Sequence, residues 1–459
     1  MLRMSSKATF SSKIGLIAAT VGSAVGLGNV WRFPAETQTN GGAAFLFVYI
    51  LCMFLLGIPV MLAEFSLGRG THSDAIGAFR KLKPNSFWWI TGAIAVLASY
   101  LILCFYMVVA GWTFEYLWQS ITGDLYAIKS TAISAMDASF HHKMEQYICH
   151  EISPLVNIYV LIVINLVVLI AGVQKGIEKL SNILMPLLFI LLLIFCGVSL
   201  SLPGASDGIK FFLSPDFSKI TPGVVVNALG QAFFSLSLGM GILITYSSYY
   251  PKNTKLGKTA VTVSLLDLLV AVLMGVIIFP AVASFGLDGS QLRGTTLVFV
   301  TLPEIFSQMQ FTRLWSILFF LLLFVAALTS TISIAEVSVA MIQDRFKKSR
   351  IVSTLIVILP LFIFSTICSL SFSTLKDFTI FGNTIFDFLD SFATNILLPI
   401  VSILVCVFMG WIVDKKYFEN EITNGGRLRN ATFPMVRFIV KYVAPPLILL
   451  ILVSFFVKF

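Results

Sequence analysis

Charge is scarce in this sequence. Of 459 residues only 12% are Asp, Glu, Lys or Arg, against about 25% in soluble globular chains. That scarcity excludes most soluble readings. Cysteine and histidine are also few, six and four respectively. Cys52, Cys104, Cys196, Cys368 and Cys406 lie in apolar stretches and only Cys149 in a polar one, so no pair has the spacing of a disulfide framework or a zinc site. His72, His141, His142 and His150 fall in polar segments and read as solvated. No nucleophile with a base and an orienting partner appears, nor a metal-ligating cluster or phosphate loop. The chain is not expected to be an enzyme.

Hydrophobic length is what the chain does have: 58% hydrophobic residues, 42 Phe and a mean hydropathy of +0.94. Runs of 18 or more nearly uncharged residues recur, each able to cross a hydrocarbon core ~30 Å thick. Eleven spans are predicted, at 14–37, 42–68, 88–120, 155–173, 182–202, 222–248, 259–284, 312–343, 351–371, 384–412 and 434–457. The polar segments between them are too short to fold alone, so residues 1–459 form one all-α integral membrane domain. The net charge of +9 is expected to orient the chain in the bilayer and not to bind nucleic acid. With the N-terminus inside, about twenty Lys and Arg face the cytoplasm and seven face out. Eleven spans then put the C-terminus, Phe459, on the outer side of a plasma (inner) membrane, with 121–154, 203–221 and 285–311 outside as well. The first apolar segment follows Arg3, Lys7 and Lys13 like a signal peptide, but it lacks an A-x-A site and is expected to stay.

Two spans are interrupted in the same way. The first holds Gly22-Ser-Ala-Val-Gly-Leu-Gly-Asn29 and the sixth Ser235-Leu-Ser-Leu-Gly-Met-Gly241, both with glycines and short polar side chains at mid-membrane depth. Irregular backbone survives there only where it is buried in protein or lines a cavity. Matched breaks five spans apart point to a midplane site in a five-plus-five inverted repeat, with repeat one at about 14–202, repeat two at about 222–412 and an extra helix at 434–457.

The first break runs into Trp31-Arg-Phe-Pro34, followed by Asn40-Gly-Gly42, Gly57-Ile-Pro59 and Glu64 to Arg69. With Gln231 to Gly239 and Ala326-Ala-Leu-Thr-Ser330, these closely resemble the neurotransmitter:sodium symporter family. The resemblance implies the LeuT fold and sodium-driven amino-acid or amine uptake by alternating access. A hard cation wants oxygen ligands. The implied first sodium site is Ala24, Asn29, Ser235 and Asp267; the second is Gly22, Val25, Ala326, Thr329 and Ser330. A lone membrane carboxylate costs roughly 2.5–3.5 kcal/mol, and sodium would be the partner of Asp267. Chloride-dependent relatives have an amide at that point, so Asp267 beside Tyr49, Gln231 and Ser235 implies chloride-independent transport.

The substrate pocket implied by the resemblance is Ser23, Ala24, Leu27, Gly28, Ile102, Tyr106, Phe234, Ser235, Ser237, Met240, Ser330 and Ile334. Amine-carrying relatives have Asp where this chain has Gly26, which favours an amino acid with its own carboxylate over a monoamine. Soft, adaptable Met240 suggests large hydrophobic or aromatic side chains. Arg32 with Asp390 resembles the outer gate, under a lid of Tyr106 and Phe234, and Lys7 with Asp344 the inner one. Lys7 and Phe10 depart from the Arg and Trp usual there. Glu64 and Glu336 are expected to be satisfied by unwound backbone N–H groups. Gly176 and Pro186 resemble a helix-unwinding pair in the fifth span that would let water reach the second sodium. The expected partners are therefore an amino acid, two sodium ions and the bilayer. A non-transporting amino-acid sensor or a monoamine transporter on the same fold is the alternative.

Overall fold

The computed structural model describes residues 9–127, 136–286, 294–428 and 431–456, leaving Lys7 and Phe459 outside the described residues. Among these residues the elements are helical, apart from a lone bridge between Ile380 and Asn383. Nine unbroken helices are long and apolar enough to span a bilayer: Ala43–Thr71, Trp89–Thr122, Ser153–Ile170, Val173–Leu200, Leu256–Phe285, Thr312–Phe346, Arg350–Leu370, Ile385–Ile412 and Phe433–Ser454. A bent pair, Lys13–Ala24 and Gly28–Thr39, turning through 55°, forms the first span. Pro222–Ser235 and Ile242–Ser247 form the sixth. Among the described residues nine spans, or ten with the bent pair, have the length and hydropathy to cross a bilayer, and the two short helices stand where the predicted sixth would be.

Both breaks have local causes. In the first, Val25 leaves helical geometry with ψ at 105°, and the Gly26 N–H that would close the next turn donates to Asn29 Oδ1 at 3.3 Å instead. In the sixth, Ser237, Gly239 and Gly241 all have positive φ, which glycine adopts without strain. An added Cβ on Gly239 would also lie 2.5 Å from the Leu398 carbonyl. Ser237 Oγ donates to the Ser23 carbonyl at 2.8 Å, so the sixth-span break supplies a donor to a backbone carbonyl at the first. That satisfies the bilayer's demand on buried backbone.

The fifth span begins at Val173, nine residues before the predicted start. Its first segment, Val173–Glu178, is a wide turn carrying Gln174, Lys175 and Glu178, polar residues that hide a helix from a hydropathy reading. The polar stretches also contain helices: Ala75–Leu82 and Lys415–Thr423 on one side of the bundle, and Met136–Ile148, Ala205–Leu213 and Gly294–Ser307 on the other. The second of these groups packs onto the ends of the spans on its side, as where Asn157 donates to the Tyr147 hydroxyl at 2.9 Å.

Candidate functional site

At the junction of the two breaks Asn29, Ser235 and Asp267 converge, none more than 1% exposed. Asn29 Nδ2 donates to Asp267 Oδ1 at 2.9 Å and Ser235 Oγ at 3.1 Å, and Ser235 Oγ donates to Asp267 Oδ2 at 2.7 Å. Residues 206 and 238 positions from Asn29 thus meet at one buried carboxylate. Asp267 makes no ion pair among the described residues. A negative charge held by neutral donors at membrane depth, among oxygen ligands, fits a monovalent cation.

The second predicted group also assembles. Gly22 and the eighth span approach so closely that a Cβ on Gly22 would lie 3.4 Å from Thr329 Cβ and 3.5 Å from Met185 Sδ. Because the Gly26 N–H serves Asn29 Oδ1 and the Asn29 N–H serves the Gly26 carbonyl at 3.2 Å, the Gly22 and Val25 carbonyls lose their usual i+4 donors. Thr329 Oγ1 donates to the Val325 and Ala326 carbonyls, both at 3.1 Å. Such back-bonding uses the hydroxyl hydrogen and leaves the oxygen lone pairs for a cation.

All twelve predicted pocket residues line one cavity beside these groups, joined by Gly26 and Ile242. Ile242 was missed because it follows the glycine break as an unremarkable apolar residue. The Leu27 N–H donates to Tyr106 Oη at 3.2 Å, tying the third span to the first break. At Gly26 an added Cβ would lie 2.7 Å from Ser330 Oγ and 3.1 Å from Tyr106 Oη, so the site has no room for a side chain there. The cavity has about 30 Å³ of free space, the share of one water molecule in the liquid. An amino acid must push the walls apart to enter.

The inner pair of Lys7 with Asp344 falls outside the described residues, since Lys7 does, and the outer pair is not in direct contact. Arg32 and Asp390 form no ion pair within 4.0 Å; the Arg32 guanidinium lies over the Phe234 ring at 4.7 Å instead, where the π face draws a cation. Arg32 therefore braces the lid directly. At the inner end Asp344 Oδ2 accepts the Asp74 N–H at 3.0 Å, just before the helix Ala75–Leu82. Phe10 plugs the inner end of the first span: its N–H donates to the Tyr249 carbonyl at 3.1 Å, and its ring packs on Tyr246, Tyr249 and Tyr250 with centroids 6.0–6.2 Å away.

Of the two further acids, Glu64 behaves as expected: Oε1 accepts the Gly239 N–H from the sixth-span break at 2.8 Å. Glu336 does not. Arg350 holds it in a two-pronged ion pair of 2.7 and 2.6 Å, and the Tyr249 hydroxyl adds a third bond at 2.7 Å. Arg350 is thus a partly buried structural partner. A further acid escaped the sequence reading: Glu178 accepts from the backbone N–H and hydroxyl groups of both Ser11 and Ser12 at 2.8–3.0 Å. Gly176 sits in the same wide turn, where a Cβ would meet the Val168 carbonyl at 2.0 Å, and Pro186 lies inside the following helix.

The fold and its twice-broken core define a LeuT-fold transporter. The profile of the Sodium:neurotransmitter symporter family matches residues 7–148 and 131–459, and the chain belongs to that family. It is 37% identical over 445 residues to the uncharacterized sodium-dependent transporter YhdH of Bacillus subtilis, covering 97% of each chain. To the sodium-dependent transporter MJ1319 of Methanocaldococcus jannaschii it is 39% identical over 419 residues, covering 88% of this chain and 82% of that one. Among solved structures it is similar to MhsT in complex with L-phenylalanine, with a TM-score of 0.88, 40% identity, and 98% and 100% of the two chains covered. The protein is a sodium-dependent membrane transporter.

Proposed function

We propose that this chain is a symporter that carries large hydrophobic or aromatic L-amino acids inward with two sodium ions, independently of chloride. The observation that carries this reading is the packing at Gly26. With Ser330 Oγ 2.7 Å from where a Cβ would stand, the wall cannot supply the carboxylate that a monoamine would need. The substrate must bring its own. That carboxylate would meet the Ala24, Asn29, Ser235 and Asp267 group and complete the shell of the first sodium, while Gly22, Val25, Ala326, Thr329 and Ser330 hold the second.

The mixed wall of Ile102, Phe234, Met240 and Ile334 suits an apolar side chain, and MhsT, 40% identical, was crystallised with L-phenylalanine. Asp267 supplies the negative charge that an anion would otherwise bring, which supports chloride independence. By the positive-inside bias the N-terminus lies in the cytoplasm. The fifth span, which carries the wide turn at Gly176 and places Met185 against Gly22, offers the inner route by which water reaches the second sodium.

The test is uptake into proteoliposomes. Labelled phenylalanine or leucine should accumulate only with an inward sodium gradient, and gluconate in place of chloride should leave the rate unchanged. Binding without accumulation would identify a sensor, and preference for a decarboxylated amine would identify a monoamine carrier.

A further inference from the structure

A large cavity lies away from the transport path, on the face that the charge bias assigns to the cytoplasm. It measures about 740 Å³ and is walled by three loop regions: Arg69, Gly70 and His72 where the second span ends, Lys252, Asn253 and Lys255 after the sixth, and Asn420, Glu421, Asn424, Gly425, Arg427 and Leu428 from the end of the helix Lys415–Thr423 into the turn after it. Five of its residues are basic or imidazole (Arg69, His72, Lys252, Lys255 and Arg427) and one, Glu421, is acidic.

Glu421 is already neutralised. Arg69, only 4% exposed, donates Nε to its carboxylate at 2.8 Å and spends the rest of its guanidinium on the Thr254 and Glu421 carbonyls and on Asn424 Oδ1. Asn424 Nδ2 in turn donates to the Asn253 carbonyl at 3.3 Å, and the Tyr417 hydroxyl to the Ser66 carbonyl at 3.0 Å. These bonds fix the three loops to one another, so the cavity is held open by its own frame. Lys252, Lys255 and Arg427 are exposed and make no ion pair among the described residues.

We propose that this cavity is a binding site for a phosphate-bearing anion, either the headgroup of an anionic lipid or a soluble phosphate compound. Orientation in the membrane accounts for basic residues on this face, but not for three unpaired cations around a rigid hollow whose only carboxylate is internally satisfied. Basic pockets between spans on the cytoplasmic side recognise such headgroups, and the amides of Asn253, Asn420 and Asn424 add neutral donors. The volume exceeds that of a bare ion many times over, which favours a diester or polyphosphate. The occupant would bridge Lys252 and Lys255 to Arg427. The loop of the two lysines continues directly from Tyr249 and Tyr250, which hold Phe10, so a filled cavity stiffens the closed inner end. The proposal stands whatever solute the protein carries.

The test compares two triple variants of the full-length protein. Lys252→Gln/Lys255→Gln/Arg427→Gln removes the cavity cations, and Arg345→Gln/Lys347→Gln/Lys348→Gln removes three exposed cations of the same face outside it. Pyrophosphate binding in detergent is read by calorimetry, and phosphatidylglycerol retention from mixed phosphatidylcholine nanodiscs by native mass spectrometry. Saturable binding of at least one probe is expected, weakened tenfold or more by the first triple and less than twofold by the second. Retention of the lipid alone identifies a headgroup site, pyrophosphate alone a soluble ligand, and mutual competition a site open to both. Equal weakening by the two triples, or no saturable binding of either probe to the unaltered protein, overturns the proposal.

Discussion

Glu178 Oε1 accepts both the backbone N–H of Ser12 at 3.0 Å and its hydroxyl at 2.9 Å, across 166 residues of chain. Ser12 is also the N-cap of the first helix, receiving the Gly15 N–H at 2.9 Å. A carboxylate at a helix N-terminus is favoured by the helix dipole as well as by its hydrogen bonds, so the fifth span grips the inner end of the first. Gly15 makes the grip possible, since a Cβ there would lie 2.1 Å from Glu178 Oε1.

Glu178→Gln should loosen that grip. The amide turns donors toward donors, leaving part of the Ser11 and Ser12 groups unsatisfied at a cost of about 1–3 kcal/mol. In a Cys149→Ser background, a reporter cysteine replacing Ala19, 1% exposed, should react several-fold faster with an impermeant thiol reagent from the inner side when Glu178→Gln is added. An unchanged rate would show that the contact does not hold the first span closed.

Asp267 is the next point of test. Asp267→Ala should raise the sodium concentration for half-maximal uptake at least tenfold, because the buried cation loses the one charged ligand that this group of protein residues supplies. Asp267→Asn restores hydrogen bonding without charge, so its uptake should become dependent on chloride. Full sodium-driven uptake by Asp267→Asn in gluconate would separate Asp267 from both roles.

The cavity predicts an unusually small tolerance at Gly26. Gly26→Ala places a methyl within 2.7 Å of Ser330 Oγ, and packed interiors resist even one added carbon. Amino-acid affinity should fall tenfold or more while the melting temperature changes by only a few degrees. Gly26→Asp should abolish binding and not convert the protein to amine transport.

The spans, the two breaks and the site around them were legible because each leaves a local mark: a bilayer imposes length on apolar runs, and an unwound segment demands glycine and short polar residues within a few positions. Asn29 could be joined to Ser235 and Asp267 only through a family pattern, lying 206 and 238 residues from them. Where no such pattern spoke, pairing was invisible. Glu178 and Arg350 carry no such mark, since nothing local distinguishes an orienting cation from one that folds back onto a buried acid. The fifth span lost its first nine residues because Gln174 and Lys175 are exposed polar residues that interrupt the apolar run, while Glu178 beside them turns inward. Arg32 failed differently, its guanidinium finding the Phe234 ring rather than Asp390, a choice between two nearby partners that composition cannot rank.

Glu336 and Arg350 give the last test. The eighth and ninth spans are joined here by a fork-shaped pair, with Glu336 fully buried and Arg350 also donating to the Leu169 carbonyl at 2.7 Å at the end of the fourth. Breaking a buried pair from one side strands the other charge and costs about 3–5 kcal/mol, so Arg350→Met alone should lower the melting temperature markedly. Lysine cannot reproduce the fork, and Arg350→Lys should recover only part of the loss. Glu336→Met with Arg350→Met removes both charges together and should be more stable than Arg350→Met alone, since no carboxylate is then left unpaired. Additive losses in that double variant would mean that the two side chains act separately and that the 2.6 Å contact contributes no coupling.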